Sequence, residues 1–221
     1  KSLENDSNNS SVISKAIKSQ DLKKIDSILL GPGLGISEEK WDQYGEVLES
    51  FNGLLVLDAD AINRLSESKE GWKWLKKRVG STWITPHFAE FKRLFPFIDC
   101  SNPLNAAIEA SQISGTSILL KCAHSIIADP SGKAWQIGES NPFAARAGLG
   151  DLLAGFVTGM GSLGLVSNQK LETDLLAASA LLHSQAAISC PEGTSASLIA
   201  KQLSTLVKVN HQGKCDEKNN N

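Results

Sequence analysis

The chain lacks several features that would place it in a specialised class of protein. Its four cysteines (Cys100, Cys122, Cys190 and Cys215) show no CxxC spacing and no nearby pair of histidines, which favours reduced thiols over disulfides or a zinc site. It has no basic cluster and a formal net charge of −2, so we expect no nucleic-acid partner. It also lacks a signal-peptide core and any run close to the ~18 apolar residues of a membrane span. These absences predict a cytoplasmic protein with no membrane partner.

What is present is ordinary for a globular protein. The 221 residues are 41% hydrophobic and 21% charged, which suits one sizeable α/β domain over 1–221. Both ends are polar, so we expect the ordered core to lie at about 25–208. The chain begins at Lys1 without a methionine, which suggests that it is cut from something longer.

Short apolar runs alternate with helical patterns along the core. The runs predict strands at 25–30, 54–58, 81–85 and 117–121, followed by a hairpin from 124–128 and 133–137 across a Pro/Gly turn. Because most of these runs lack strict alternation, we expect strands that are covered on both faces.

The intervening patterns predict helices, at 38–50 with Ser37 as N-cap, at 102–114, and at about 151–163, 172–190 and 195–208. The fold class is therefore α/β, with a mostly parallel central sheet, helices on both faces and an antiparallel edge hairpin. Ligands bind such sheets at the carboxyl ends of the strands.

The most informative segment is NPFAARAGLGDLLAG (141–155), a glycine-rich turn that leads into an apolar helix. Gly148 and Gly150 permit close approach of backbone to a ligand, and the start of the helix offers unpaired N–H groups to an anion. Asp151 places a carboxylate beside that anion, which suits phosphate chemistry on a hydroxyl group. The alternative is a loop turn with an acidic helix cap.

Two further motifs follow predicted strands. GPGLG (31–35) matches neither a dinucleotide fingerprint nor a Walker A loop, and it suits either close ligand approach or a tight turn. In LDADAIN (57–63), Asp58 and Asp60 could lie near a Mg²⁺–phosphate group or a ligand hydroxyl. Alternatively, Asp60 caps a helix that begins at Ala61.

Three basic side chains complete the set of candidates. His87 in TPHFAEF should project from the carboxyl edge of the sheet, either as a ligand contact or as a structural or solvated histidine, and Glu90 could lie in the first turn of the next helix. Lys121 in KCAHS is either a phosphate or ribose contact or a solvated lysine at a turn. His183 is expected to be a packed helical histidine.

Taken in order, GPGLG, LDADAIN, TPHFAEFKRL, LLKCAHSIIADPSG and NPFAARAGLGDLLAG resemble the ADP/ATP-dependent NAD(P)H-hydrate dehydratase family of the ribokinase-like superfamily. The likeness runs from about Ile25 to Val207. It implies a hydro-lyase that uses ADP or ATP, with Mg²⁺, to dehydrate the S-form of hydrated NADH or NADPH back to the reduced cofactor.

The resemblance also implies roles for individual residues. The hydrated cofactor would contact Gly35, His87 and Asp151, with Asp151 as the catalytic residue that accepts the proton of the substrate hydroxyl. The adenine nucleotide would contact Gly150 and the segment Lys121, Cys122, Ala123, His124 and Ser125. No metal ligand on the protein is implied.

Two other functions remain open at this point. One is a ribokinase-like kinase that phosphorylates a vitamin-precursor alcohol, and the other is a non-catalytic nucleotide-binding descendant of the enzyme. Domains of this family open with a strand and helix before the GPGLG motif, so we expect this chain to lack its domain's first strand and helix. An epimerase domain or partner is expected from many family members, and a homo-oligomer is a further possibility.

Overall fold

A computed structural model describes residues 12–35, 39–138, 148–168 and 173–216 of the chain. Its centre is a sheet of six strands that are paired in chain order. They are β1 (Ser27–Leu30), β2 (Leu54–Leu57), β3 (Thr82–Ile84), β4 (Ser117–Leu120), β5 (Ile126–Ala128) and β6 (Ala134–Gln136). Strands β1 to β4 are parallel, and β5 and β6 form an antiparallel hairpin at the edge. The predicted strands, hairpin and sheet type are confirmed.

Eight α-helices surround this sheet within the described residues. They are α1 (Val12–Lys18), α2 (Gly45–Glu49), α3 (Ala59–Ser66), α4 (Phe88–Leu94), α5 (Pro103–Ser114), α6 (Leu149–Asn168), α7 (Thr173–Ile188) and α8 (Ala196–Asp216). Short 3₁₀ turns lie at 22–24, 41–43 and 71–77. The prediction of three helices after Asp151 is confirmed. So is the helix at 102–114, where the side chain of Asn102 caps the first turn and Gly115 ends the helix in the left-handed region.

The two faces of the sheet bury alternate residues of the same strands. On β2, Leu55 and Leu57 pack with the core formed by α2 to α5, whereas Leu54 and Val56 pack with α6 and α7. Successive side chains of a strand point to opposite faces, so a strand covered on both sides has no polar face. This packing explains why the strand sequences show little alternation.

The helix predicted at 38–50 is wrong as a single element. The structure divides it into a 3₁₀ turn at Trp41–Gln43 and the short helix α2, with Tyr44 in a non-helical conformation between them. Gly45 has a low helix propensity, and the ring of Trp41 packs against its Cα. Burial of the Trp41 and Tyr44 rings, whose centroids lie 5.3 Å apart, therefore overrides a continuous helix. The predicted N-cap Ser37 lies outside the described residues.

Helix α6 corrects the expectation that no run approaches a membrane span. Over Leu149–Ser167 it is long and apolar enough to cross a membrane by length and composition alone, and only 28% of that window is buried. Leu153 and Val157 of this helix nevertheless pack against the sheet with Leu54 and Trp83. One such helix is weak evidence for a membrane span, because a helix packed on a sheet passes the same test.

Candidate functional site

The carboxyl ends of the parallel strands gather the predicted motifs at one edge of the sheet. The parallel register pairs Leu30 with Leu57 and Leu57 with Ile84. Gly31, Asp58 and Thr85, which come next in the chain, therefore lie side by side at this edge. Lys121 directly follows β4 and forms a parallel bridge with His87.

The centre of this edge is a hydrogen-bonded group of three side chains. The ammonium of Lys121 lies 2.6 Å from Oδ1 of Asp58, and the hydroxyl of Thr85 donates to the same oxygen at 2.7 Å. The side chain of Asp58 is only 2% exposed, and that of Lys121 is 21% exposed. A carboxylate buried to this degree needs such partners, because it has lost its hydration.

Close packing of backbone fixes the position of Asp58. Its N–H donates to the carbonyl of Leu30 at 3.0 Å, and an added Cβ on Gly31 would lie 1.7 Å from the carbonyl oxygen of Asp58. Gly31 has a φ of +136°, which only glycine adopts readily. Gly31 of the GPGLG motif therefore allows the ends of β1 and β2 to approach each other closely.

Lys121 also reaches the start of α6. A Cβ added to Gly150 would lie 3.8 Å from Nζ of Lys121, so the ammonium stands beside the first turn of this helix. Gly148 turns the chain into α6 with a φ of +86°, and Asp151 lies exposed in the first turn. Unpaired N–H groups and the helix dipole favour an anion at such a helix start. The lysine and the helix therefore both favour an anion at the same place. Residues 141–147 of the glycine-rich segment lie outside the described residues.

His87 lies at the same edge and caps α4. Its Nδ1 accepts hydrogen bonds from the N–H groups of Ala89 and Glu90, while Glu90 accepts one from the N–H of His87. The Nε2 atom lies 3.1 Å from the buried carboxylate of Glu90, and the imidazole is 51% exposed. The predicted placement of both residues is confirmed. The ring is oriented by the helix cap, and its outer part remains accessible.

The segment from Cys122 to Ser125 forms the connection between β4 and β5. The thiol of Cys122 donates to the carbonyl of His124 at 3.0 Å, and burial raises the pKa of this thiol. A raised pKa lowers the thiolate fraction, so Cys122 is a poor nucleophile. Ala123 and His124 are exposed beside it.

Gly35 is held by a second set of contacts, which come from α3. Its N–H donates to Oδ2 of Asp60 at 2.9 Å, and its carbonyl accepts from the guanidinium of Arg64 at 3.0 Å. The alternative in which Asp60 caps a helix beginning at Ala61 is wrong. Helix α3 begins at Ala59, and Asp60 reaches across to the glycine-rich turn instead.

A groove with a volume of 580 Å³ runs between α6 and α8 and includes Asp151. Most of its wall is apolar or small, and its residues are Asp151, Leu152, Gly155, Phe156, Ala200, Leu203, Ser204 and Val207. Asp151 therefore lies in the first turn of α6 and borders this apolar groove.

His183 is a packed helical histidine, as expected. It lies in α7, its Nε2 is buried with no hydrogen-bond partner among the described residues, and burial lowers its pKa to about 4. A hydrogen bond with the Leu149 backbone opposes this shift only in part. His183 is therefore neutral at pH 7.

Thr85 and Arg64 were not predicted as site residues from the sequence. Thr85 ends the run STWIT, and its hydroxyl could have been noticed as a polar group one residue beyond a buried strand. Its pairing with Asp58 depends on the register of β2 and β3. Arg64 gave no signal, because a single basic residue on a helix is common.

A family model described as NAD(P)H-hydrate dehydratase matches residues 4–208. The bifunctional NAD(P)H-hydrate repair enzyme of Synechocystis is 37% identical over 193 residues, which are 87% of this chain and 33% of that enzyme. The enzyme of the same name from Gloeobacter violaceus is 40% identical over 137 residues, which are 62% of this chain and 26% of that enzyme. This chain thus spans about a third or less of the length of these curated relatives.

Solved structures share the fold. The ADP/ATP-dependent NAD(P)H-hydrate dehydratase of Bacillus subtilis, co-crystallised with ATP and Mg²⁺ and soaked with CoA, superposes with a TM-score of 0.70 at 24% identity. The alignment covers 88% of this chain and 70% of that one. A ribokinase-like superfamily protein from Enterococcus faecalis gives a TM-score of 0.67 at 25% identity, over 85% of this chain and 64% of that one. The ribokinase-like fold is therefore established for this chain.

Proposed function

This chain belongs to the NAD(P)H-hydrate dehydratase family, and from that membership and its site we propose that it catalyses the ADP- or ATP-dependent dehydration of the S-form of hydrated NADH or NADPH. The observation that carries the proposal is the position of Lys121, whose ammonium lies beside Gly150 in the first turn of α6. A fixed cation at a helix start is what the phosphates of a nucleotide require.

In this proposal, Asp151 is the catalytic residue. Its carboxylate takes the proton of the hydroxyl group on the saturated nicotinamide ring as the hydroxyl oxygen attacks the terminal phosphoryl group. The bond from that phosphorus to the nucleotide oxygen breaks, and a phosphate ester forms on the ring. The ring-nitrogen lone pair then expels phosphate, and loss of a proton from the adjacent ring carbon restores the reduced nicotinamide.

Other residues bind and orient the reactants. We assign Gly150 and the segment from Lys121 to Ser125 to the nucleotide, and Gly35 and His87 to the hydrated cofactor. The accessible edge of the His87 imidazole supports this assignment, as does the fixed position of the Gly35 turn against Asp60 and Arg64. Because both glycine and histidine are held by neighbours, little reorganisation is needed when a ligand binds.

Mg²⁺ would bind in this arrangement together with the phosphates of the nucleotide. Among the described residues, no group of three or more His, Cys, Asp or Glu side chains could hold a metal ion. Mg²⁺ usually needs only one or two carboxylates together with substrate phosphates, so the phosphates of a bound nucleotide would supply much of its coordination. When bound, Mg²⁺ would neutralise charge on the phosphate oxygens.

We extend the proposal to the partners, domain organisation and location of the protein. The relatives are bifunctional repair enzymes, and we propose an epimerase domain or partner that supplies the S-form of the substrate. We also propose a single dehydratase domain, a cytoplasmic location and, as a further possibility, a homo-oligomer.

The first experiment measures recovery of the reduced-nicotinamide absorbance band with hydrated NADH, Mg²⁺ and either ADP or ATP. We expect Asp151→Asn to lower kcat by about 10²–10⁴-fold, the usual contribution of a positioned general base, with nucleotide affinity largely retained. Asp26→Asn is the matched control, because this exposed aspartate precedes β1 at the opposite edge of the sheet. Equal activity of the Asp151 variant and the wild type would contradict the assigned role.

The products separate the alternatives. A dehydratase releases inorganic phosphate and reduced nicotinamide, whereas a ribokinase-like kinase accumulates a phosphorylated alcohol. Nucleotide binding measured by calorimetry without turnover of either kind would identify the non-catalytic descendant and reject the dehydratase.

A further inference from the structure

We propose that Asp58 is a positioning residue, which acts with Thr85 to hold the ammonium of Lys121 at the first turn of α6, where the phosphates of the nucleotide would bind. The inference rests on the proposed function for the identity of the anion. It adds a residue that neither touches the substrate nor belongs to the segments assigned to ligands.

The Asp58–Lys121 pair is more buried than other lysine–carboxylate pairs of the described residues. Other lysine–carboxylate pairs of this chain are open to water: the Lys133–Asp174 side chains are both 54% exposed, and those of Lys77–Glu70 are 49% and 39% exposed. Asp58, at 2%, has almost none of its hydration left. A buried ion pair is rarely more stable than apolar residues of the same volume, so stability alone gives little reason for this one.

The carboxylate of Asp58 is held rigidly. The hydroxyl of Thr85 donates to the same Oδ1 that holds Lys121, and the backbone N–H of Thr85 donates to the carbonyl of Leu57 at 3.0 Å. The carboxylate is thus fixed to two strand ends rather than to a loop. Lysine has a long and flexible stem, so the location of its ammonium depends on what it bonds to.

The side chain of Lys121 extends from the strand end toward the start of α6. The backbone N–H of Lys121 donates to the carbonyl of Pro86 at 2.8 Å, which anchors its Cα on the strand edge, while its ammonium stands 3.8 Å from the Cβ position of Gly150. Asp58 therefore holds the lysine within reach of the helix start. It also leaves the ammonium with further donor capacity, because Lys has three N–H donors.

This arrangement predicts separate effects on binding and on turnover. Asp58→Asn removes a negative charge near the phosphates, so electrostatic attraction of the nucleotide does not weaken. The ammonium is then free to move, and a displacement of about 1 Å at a reacting centre costs on the order of 10²-fold in rate. We expect kcat to fall by about 10–10²-fold with the nucleotide KM nearly unchanged.

Chemical labelling gives a readout that does not depend on turnover. An amine-reactive acetylating reagent followed by mass spectrometry measures the accessibility of Lys121, with Lys133 as the internal reference. In the wild-type chain we expect slow labelling of Lys121 that ATP with Mg²⁺ slows further. In Asp58→Asn we expect labelling of Lys121 to rise several-fold and protection by ATP to decrease, with Lys133 unchanged.

Thr85 supplies a second and milder pair of variants. Thr85→Val removes one donor to Asp58 but keeps its charge, whereas Thr85→Ser keeps the hydroxyl group. We expect a partial loss of kcat in Thr85→Val and retention of kcat in Thr85→Ser. These variants test the idea even if Asp58→Asn fails to fold.

The outcomes separate this inference from the proposed function. Unchanged kcat and unchanged Lys121 labelling in folded Asp58→Asn and Thr85→Val variants would overturn the positioning role and leave the dehydratase intact. A wild-type chain without dehydration, in which ATP protects Lys121 and Asp58→Asn abolishes that protection, would overturn the proposed function but support the positioning role.

Discussion

Two partly buried basic side chains, Arg78 and His183, lose most of the water around them and yet end in different charge states. The guanidinium of Arg78 donates to the backbone carbonyls of Leu48, Phe51, Gly53 and Ser81, and burial lowers its pKa to about 10. It therefore remains charged at pH 7. The same cause lowers the pKa of His183 to about 4, so that His183 is neutral. The ordinary pKa of arginine lies far above 7 and that of histidine lies just below 7. Lowering both values therefore leaves Arg78 charged and His183 neutral at pH 7.

Because burial lowers the pKa of His183, we expect the folded chain to lose stability in acid. Its pKa is lower in the folded state than the value of 6.5 expected in the unfolded chain, so the unfolded state binds more protons below pH 6.5. Above pH 6.5, protonation of His183 does not lower the free energy of unfolding. As the pH falls from 6.5 toward 4, that free energy decreases by up to about 3 kcal/mol. Replacement by a neutral amide in His183→Gln removes this part of the pH dependence.

The measurement is the free energy of unfolding in urea at pH 7.5, 6 and 4.5. We expect the difference between wild type and His183→Gln to shrink as the pH falls. His124→Gln is the control, because His124 is exposed. A parallel pH dependence of the His183 variant and the wild type would contradict burial as the cause of the shift.

At the scale of elements, helix α6 connects the site to the core. Its first turn carries Gly150 and Asp151, and its later turns lie against the sheet. A Cβ added to Gly161 would lie 2.3 Å from Leu54 Cδ2 and 3.0 Å from the ring of Trp83. Gly161 therefore allows the helix to approach the sheet closely, which in turn fixes where its first turn stands relative to Lys121.

Substitution of two glycines on α6 tests this contact. Gly161→Ala forces buried Leu54 and Trp83 to shift, and such overpacking costs about 1–3 kcal/mol. An added Cβ at Gly159 meets no atom of the described part of the chain within 4 Å, and Gly159→Ala removes a poor helix former, so we expect a gain of about 0.5–1 kcal/mol. Thermal unfolding followed by circular dichroism compares the two variants. A Gly161→Ala chain as stable as Gly159→Ala would show that the helix does not pack as closely as described.

At the scale of the whole molecule, three apolar clusters formed by the described residues hold the fold together. One lies between the sheet and α2 to α5, a second between the sheet and α6 and α7, and a third joins α6, α7 and α8. Helix α6 takes part in the last two but leaves Leu163 62% exposed and Val166 67% exposed near its end. The apolar composition of α6 is thus divided between core and surface.

We expect this chain to stay in the aqueous fraction despite the length and hydropathy of α6. Insertion into a bilayer would remove the helix from its contacts with Leu54 and Trp83 and would carry Asp151 toward the membrane. Flotation with lipid vesicles is the measurement, and a Leu163→Lys/Val166→Lys double variant is the control with a less apolar surface. Flotation of the wild type but not of the double variant would contradict the expectation.

The sequence predicted what local chemistry controls. Apolar runs bounded by turns predicted β1 to β4 and the β5–β6 hairpin, and Asn102 with Gly115 accounts for both ends of α5. These features depend on side chains only a few residues apart. The motifs after each strand were also visible, because polar and glycine residues interrupt otherwise apolar sequence there.

The break in the predicted helix at 38–50 required tertiary information. Tyr44 leaves the helical region where its ring and that of Trp41 are buried, and Trp74, which comes from a distant part of the chain, packs against Trp41 with ring centroids 4.7 Å apart. Local propensity cannot include a partner that arrives through folding. The same is true of Asp60, whose bond to Gly35 replaced the expected helix cap.

The sequence by itself therefore determined the strands, the later helices, the sheet type and the family, because these patterns and short motifs lie in neighbouring residues. Only the tertiary structure decided which charges meet. Lys121 and Asp58 are 63 residues apart in the chain and 2.6 Å apart in space, and the pKa of His183 falls only once α7 is packed. Burial and partner choice are properties of the folded chain, since both depend on the water that folding removes.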